Sequence, residues 1–288
     1  MITTVLQGRL GNQMFQYAIG LRAAIMHHID LQLDITMQSY LSPPQRYNLN
    51  LFAGVNEPTI VRPTKSAPRE SATILERSGD SRYDSSALLR SQPDSTFFGY
   101  WQSERYFQGI ESILTERFVP RSMIFGTETT QIEQKIRNAG SASTFLCVRR
   151  YSYSGEPGYH GIMSSEYHQK ALHEIHARTG IVPKVFIFSD EPEWCKENLV
   201  LPYSCELVGS YNQTTVEKLG REDIDLYLMS LCQHAVIANS TFPWWGAWLG
   251  DQRHIGQQRV VIGPKQWFAN QDAQANSSDI IPDRWIKI

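Results

Sequence analysis

The hydrophobic positions of this chain change period several times, and each change predicts an element. An apolar run, Val5-Leu6, stops at Gly8-Arg9-Leu10-Gly11-Asn12-Gln13. Beyond it Met14, Ala18, Leu21 and Ile25 recur at spacings of 4, 3 and 4, which is the period of an amphipathic helix. The predicted opening is therefore strand, glycine turn, helix, followed by a second strand near Leu31 to Ile35. Glycines let a backbone turn tightly and approach a ligand closely. A helix N-terminus adds free N–H groups and partial positive charge. The local pattern alone leaves open whether this junction is structural or holds a ligand.

Residues 42–95 are rich in Ser, Pro, Arg and Asp with weak periodicity, which predicts a loop-rich insertion. An aromatic run from Phe97 to Phe107 follows. Such a cluster suits a core, although Trp101 and Tyr106 have faces on which a sugar can stack. Polar residues 138–143 read as a linker. After it the rhythm becomes strand Thr144 to Val148, helix Ser165 to Arg178, strand Val185 to Phe188, helix Asp223 to Gln233, strand Ala235 to Ala238, helix Phe242 to Leu249 and strand Arg259 to Ile262. Alternating strands and helices predict an α/β fold with a parallel sheet covered on both faces. The predicted organisation is two α/β domains, 1–140 and 141–288, facing a cleft, with a C-terminal tail able to pack back on the first.

Composition narrows the function. With 288 residues and 41% hydrophobic content the chain can build two cores. Its 27 basic and 29 acidic residues give a net charge of −2, which argues against a bulk nucleic-acid or membrane binder. Cys147, Cys195, Cys205 and Cys232 lack metal-binding spacing and read as reduced thiols of a cytosolic protein. Neither a signal peptide nor an apolar run of about 18 residues is present, so a cytoplasmic protein with no transmembrane segment is expected.

Three strand ends carry chemistry. Phe145-Leu146-Cys147-Val148-Arg149-Arg150 ends in two arginines. Strand neighbours point to opposite faces, so one arginine can aim into a cleft while the other supports the loop. Arginine forks onto phosphate oxygens; the bland alternative is a solvated basic pair. Val185 to Asp190 ends in Ser189-Asp190, where a carboxylate can accept from a ribose or a guanine edge, or simply cap a turn. Val236 to Leu249 reads as strand, polar turn and helix, with Ser240 or Thr241 as N-cap and Pro243 in the first turn. Asn239, Ser240 and Thr241 fall where a phosphate would meet the helix. No Asp-x-Asp pair ends a predicted strand, and Glu222-Asp223-Ile224-Asp225 reads as a helix start. Arginine and helix N-termini are then left to stabilise a departing diphosphate.

Together these segments resemble the bacterial and animal α-1,2-fucosyltransferases of glycosyltransferase family 11. Residues Gly8-Arg9-Leu10-Gly11-Asn12-Gln13-Met14-Phe15-Gln16-Tyr17-Ala18 look like that family's first signature. Asn239 to Leu249 looks like its NSTFSWWGAWL segment with Pro243 in place of Ser. Tyr227-Leu228-Met229-Ser230 and Gly99-Tyr100-Trp101-Gln102-Ser103-Glu104 also fit. One motif departs: where the family reads His-x-Arg-Arg-x-Asp-Tyr, this chain has Cys147 and Ser152 in place of the histidine and the acid.

The resemblance implies a GT-B-type fold of two Rossmann-like domains, with the donor held mainly by the second. It implies GDP-β-L-fucose as donor, a terminal β-galactoside as acceptor, transfer to the galactose 2-OH with inversion, and no metal or other cofactor. Arg149 and Arg150, with Ser240 and Thr241, are then expected to neutralise the diphosphate, and Asp190 to read guanine or ribose. Asn12, with Arg9 and Gly11, is expected at the cleft mouth. Glu104, His160 and Glu156 are candidate bases, and the alternative is a loose transition state that needs no strong base. Two rivals stand beside this reading: a fucosyltransferase of another linkage, and a glycan- or nucleotide-binding protein disabled at Cys147 and Ser152. A nicotinamide dehydrogenase is disfavoured, because residues 8–13 lack the G-x-G-x-x-G pattern.

Overall fold

The computed structural model describes residues 1–40, 46–55, 73–77, 80–121, 126–150, 157–208 and 222–288. The chain forms two compact units, Met1–Arg121 with Ala275–Pro282, and Ser122–Gln274 with Asp283–Ile288.

The first unit contains β1 (Ile2–Val5), α1 (Leu10–His27), β2 (Leu31–Asp34), α2 (Thr36–Tyr40), β3 (Thr73–Leu75), α3 (Ser86–Leu89), β4 (Thr96–Phe98) and α4 (Glu111–Arg117). Its sheet has the order β2-β1-β4-β3 with every pairing parallel. Helix α1 starts at Leu10, so Gly11, Asn12 and Gln13 belong to its first turn and not to a loop. The sequence period missed this because buried Gln13 and Gln16 occupy inward positions that the pattern reads as polar. Within 42–95, β3, α3 and a 3₁₀ turn at Leu49–Leu51 interrupt the expected irregular structure.

The second unit contains α5 (Thr127–Ala139), β5 (Ser143–Val148), α6 (Pro157–His160), α7 (Ser165–Thr179), β6 (Lys184–Ser189), α8 (Pro192–Asn198), β7 (Cys205–Leu207), α9 (Glu222–Leu231), β8 (His234–Val236), α10 (Thr241–Arg253), β9 (Val261–Gly263), α11 (Gln271–Ala275) and β10 (Ile286–Lys287). Its sheet has the order β10-β9-β8-β5-β6-β7, again wholly parallel. That is the doubly wound Rossmann order, in which the winding reverses between the first and fourth strands, here β5 and β8. Contacts divide the chain after Arg121, whereas composition suggested a break near residue 140. Helix α5 goes with the second unit because Tyr227 of α9 donates to Glu133 at 3.0 Å and accepts from Arg137 at 3.3 Å.

One face of the second sheet buries Leu146, Val148, Val185, Ile187, Val236 and Ile262 against Ala171, Leu172 and Ile175 of α7. Helix α10 is buried from Pro243 to Gly250 and carries Trp244, Trp245 and Trp248 into the interior. Their rings meet edge to face at 5.1 and 5.3 Å, so these tryptophans are core. A Cβ on Gly246 would lie 2.7 Å from the Met229 sulfur, so glycine is what lets α10 close against α9.

A buried ion cluster ties the end of the unit together. Asp251 accepts from Arg259 Nε at 2.9 Å, Arg284 Nε at 2.8 Å and Trp285 Nε1 at 2.8 Å. Arg259 also donates to the carbonyls of Gln233 at 2.7 Å and Ala247 at 3.2 Å, and its side chain is 6% exposed. Removing Arg259 leaves Asp251 with Arg284 and Trp285 but takes this donor from the Gln233 and Ala247 carbonyls, and each buried group left unmet costs about 1–3 kcal/mol. Arg259→Ala is expected to lower the midpoint of urea unfolding of the second unit accordingly, as followed by tryptophan fluorescence.

Candidate active site

In a doubly wound sheet, ligands bind outside the carboxyl ends of the strands where the winding reverses. That point lies between β5 and β8, which pair through Leu146 and Val236. The segments leaving it are Arg149-Arg150 and Ile237-Ala238-Asn239-Ser240.

The pleat sorts the residues of β5. Leu146 and Val148 face α7, and Arg150 continues that alternation. Cys147 and Arg149 take the opposite side. Cys147 is fully buried and its sulfur takes a hydrogen bond from the Ala238 N–H. Burial pushes its thiol up to about 12, so it stays protonated and is no nucleophile.

The two arginines do different jobs. The Arg150 guanidinium lies over the Trp194 ring, 3.6 Å from its centroid, and its Nε is 3.9 Å from Glu191. Arg149 Nε is 3.6 Å from Asp190, and the two side chains are 15% and 16% exposed. Asp190 also accepts the Arg150 backbone N–H at 3.0 Å. Asp190 therefore grips the arginine turn from below. Across the β5–β6 pair its neighbour is the exit of β5, and these contacts hold that exit.

Helix α10 begins at the same point. Ser240 is its N-cap residue with extended backbone (φ −143°, ψ 139°), and its side chain makes no capping hydrogen bond. Thr241 is the first helical residue and Pro243 lies in the first turn. The α10 end thus turns N–H groups and the positive end of a 13-residue helix toward the switch point. Asn239 is buried, and its amide donates to the carbonyls of His160 at 2.7 Å, Gly161 at 3.3 Å and Trp267 at 3.1 Å. Its amide nitrogen thereby ties the entry of α10 to the segments around His160 and Trp267. His160 is half-buried, with its ring packed 4.9 Å from Tyr159 and 5.7 Å from Phe268. Glu156 and Ser152 lie outside the described residues.

In the first unit, Arg9, Gly11, Asn12 and Glu104 are also near carboxyl strand ends. Arg9 is exposed and caps α1 with its carbonyl, which receives the N–H groups of Asn12 at 3.0 Å and Gln13 at 3.1 Å. Gly8 has φ +79°, and a Cβ there would fall 2.4 Å from Asn12 Nδ2, so only glycine fits. Asn12 Oδ1 accepts from Gln102 Nε2 at 3.0 Å. Glu104 is half-buried at the start of a 3₁₀ turn, Glu104–Phe107, capped by Ser103.

Several residues that shape this edge were not singled out by sequence. Gln13 donates to the carbonyls of Gly8 at 2.9 Å and Arg46 at 2.7 Å and accepts the Asn48 N–H at 2.9 Å. Gln16 accepts the Gln7 N–H and donates to Gly99, both at 3.0 Å. Glu76 accepts the N–H groups of Tyr100 and Trp101, the latter at 2.9 Å. Trp101 has a left-handed φ of +57° and is 1% exposed. Trp101 and Tyr106 are core, not an open sugar platform. The available signal was the glutamine spacing Gln13, Gln16 on one helix face; nothing local marked Glu76.

A doubly wound domain with an arginine turn and a helix N-terminus at its switch point defines a class of proteins that hold nucleotide-linked phosphates. The family model for glycosyl transferase family 11 matches residues 1–288, and the chain belongs to that family. It is 29% identical over 98% of its length to an α-1,2-colitosyltransferase of Escherichia coli, covering 97% of that protein. It is 24% identical to the O-antigen biosynthesis glycosyltransferase WbnK of Escherichia coli, over 98% of this chain and 99% of that one. It is 25% identical to galactoside α-(1,2)-fucosyltransferase 1 of Bos taurus, over 84% of this chain and 64% of that one. The protein is a glycosyltransferase, and its family implies a nucleotide-sugar donor and a glycan acceptor. Among the described residues no helix is long and apolar enough to cross a membrane.

Burial pushes the Glu76 carboxyl up to about 7 from 4.5, against the pull of the Tyr100 and Trp101 N–H groups. A carboxyl raised on folding contributes stability that is full below the unfolded value and lost as pH rises through the folded one. Wild-type protein is therefore expected to lose stability relative to Glu76→Gln between about pH 4.5 and 7, as read from thermal midpoints in a pH series; parallel curves would refute this.

Proposed function

We propose that the protein transfers L-fucose from GDP-β-L-fucose to the 2-OH of a terminal β-galactoside, with inversion and without a metal ion. The observation that carries this reading is that Arg149 directly follows β5 and α10 begins shortly after β8, the paired strands of the switch point. These are cationic and dipolar groups that bind a diphosphate without a cation.

The acceptor oxygen attacks the fucose anomeric carbon as the bond to the β-phosphate oxygen breaks. Arg149, the Ser240 hydroxyl and the N–H groups of α10 take up the charge that develops on GDP. Arg150 holds the turn. Arg9 and Asn12, at the carboxyl edge of the first unit, serve the sugar or its acceptor. The acceptor proton passes to Glu104 or His160, or leaves late in a loose transition state.

Transfer to a panel of β-galactosides with EDTA present, with the product linkage read by NMR, tests the reading. An α-1,2 product formed despite EDTA supports it; dependence on added divalent metal refutes metal independence. Arg149→Ala is expected to lower kcat on the order of 100- to 1000-fold, as removal of one charge-stabilising donor does. Glu104→Ala and His160→Ala identify the base: a few-fold loss in both would mean that neither acts.

A second donor is favoured by one observation, the 29% identity to a colitosyltransferase. Colitose is fucose without its 3-hydroxyl. Competing GDP-fucose with its 3-deoxy analogue distinguishes the two, since a site that hydrogen-bonds the 3-OH rejects the deoxy sugar strongly.

A further inference from the structure

The arginine turn rests on a side chain that the reaction does not touch. Trp194 lies on α8, one residue before the buried Cys195, and packs against the core beneath β6. Its ring carries the Arg150 guanidinium at 3.6 Å. Arg150 in turn offers its backbone N–H to Asp190, and Asp190 faces Arg149 Nε at 3.6 Å. The chain of contacts runs Trp194, Arg150, Asp190, Arg149, from the hydrophobic core to the switch point.

We propose that Trp194 is a positioning residue for the nucleotide diphosphate: stacked under Arg150, it fixes the arginine turn and so aims Arg149. This rests on the donor reading above. A guanidinium stacked face-on keeps its N–H groups in the plane, and its position is set by the ring and not by a flexible stem. The surroundings suit this. Glu191 lies 3.9 Å from Arg150 Nε and is the nearest acid on the α8 side. His168 of α7 is 1% exposed and sits within electrostatic reach of Arg150. Burial, and then the Arg150 charge, hold its imidazole down at about 4. It is neutral at working pH and does not push the guanidinium off the ring.

A ring that merely fills space would affect all ligands alike. A ring that aims an arginine at the second phosphate would affect diphosphates alone. The test is calorimetric binding of GDP and GMP, with UDP and UMP beside them, to wild type, Trp194→Ala, Trp194→Phe and Arg150→Lys. Trp194→Ala is expected to weaken GDP about tenfold and GMP by no more than about twofold, the size of one desolvated cation–π contact. Trp194→Phe keeps a face and should retain most of the GDP preference. Arg150→Lys keeps the charge but loses the planar fork, and should fall with Trp194→Ala. Equal weakening of GDP and GMP, or an unchanged ratio in Trp194→Ala and Arg150→Lys, overturns the proposal. A wild type that prefers the uridine pair sinks the GDP reading, while the diphosphate-to-monophosphate ratio on that base still tests the role of Trp194. If Trp194→Ala does not fold, the contrast between Trp194→Phe and Arg150→Lys decides.

Discussion

Parallel strand pairing is the constraint on which the rest depends. Every pairing in both sheets runs parallel. A parallel strand cannot turn straight back into its neighbour, so each is carried home across a face of the sheet, usually by a helix. All strands then leave by one edge, and the loops that follow them collect there. In the second unit the winding reverses between β5 and β8, so the segments after those strands part company and open a space for a ligand. The alternation along β5 does the remaining sorting, sending Leu146 and Val148 into the core beside α7 and Cys147 and Arg149 to the other side.

Gathering loops at one edge creates a second demand. Irregular backbone that is buried must still find hydrogen-bond partners, and each unmet group costs about 1–3 kcal/mol. Here the partners are side-chain amides. Gln13 satisfies Gly8, Arg46 and Asn48; Gln16 joins Gln7 to Gly99; Asn239 holds His160, Gly161 and Trp267. These three amides hold the backbone in place within the segments that resemble a family signature. Their glycines follow the same logic: Gly8 accommodates Asn12, Gly246 admits Met229, and Gly250 leaves room for Arg259. A motif shared across a family can mark how a loop is held as much as what it touches.

This explains what could be read from the chain and what could not. The long periodic elements were legible: α1, β5, α7, β6, α9 and α10 lie within a few residues of where apolar spacing puts them. So were Arg149 and the Ser240–Thr241 helix start, because a strand end followed by charge or by an N-cap is a local pattern. The short strands β3, β4, β7 and β10 were not, since two or three residues hold no period and their partners are distant in sequence. Helix α5 was missed because most of its face is polar, with Thr129, Ile132 and Ile136 its buried residues. The division of labour between Arg149 and Arg150 was equally out of reach. It depends on Trp194 and Asp190, which lie some 40 residues away along the chain. The Asp190 contacts to Arg149 and Arg150 were illegible for the same reason, being made by tertiary pairing and not by neighbours in sequence.

The departure at Cys147 follows the same logic. Position 147 is buried, shares a side of β5 with Arg149, and takes the Ala238 N–H. A histidine there would add a titratable ring beside the arginine turn. The thiol adds none, because burial holds it protonated. Positive character at the switch point then comes from Arg149 and from the α10 N-terminus. The acid paired with Arg149 is Asp190, 3.6 Å away; Asp225, at the start of α9, is pushed up to about 7 by burial and by the charges of Glu222 and Asp223. Asp225 is only partly ionised near neutral pH and adds little to what Asp190 already offsets. The charge at the end of β5 is thus set by the Arg149–Asp190 pair and by a helix end and not by position 147, where the buried thiol stays protonated.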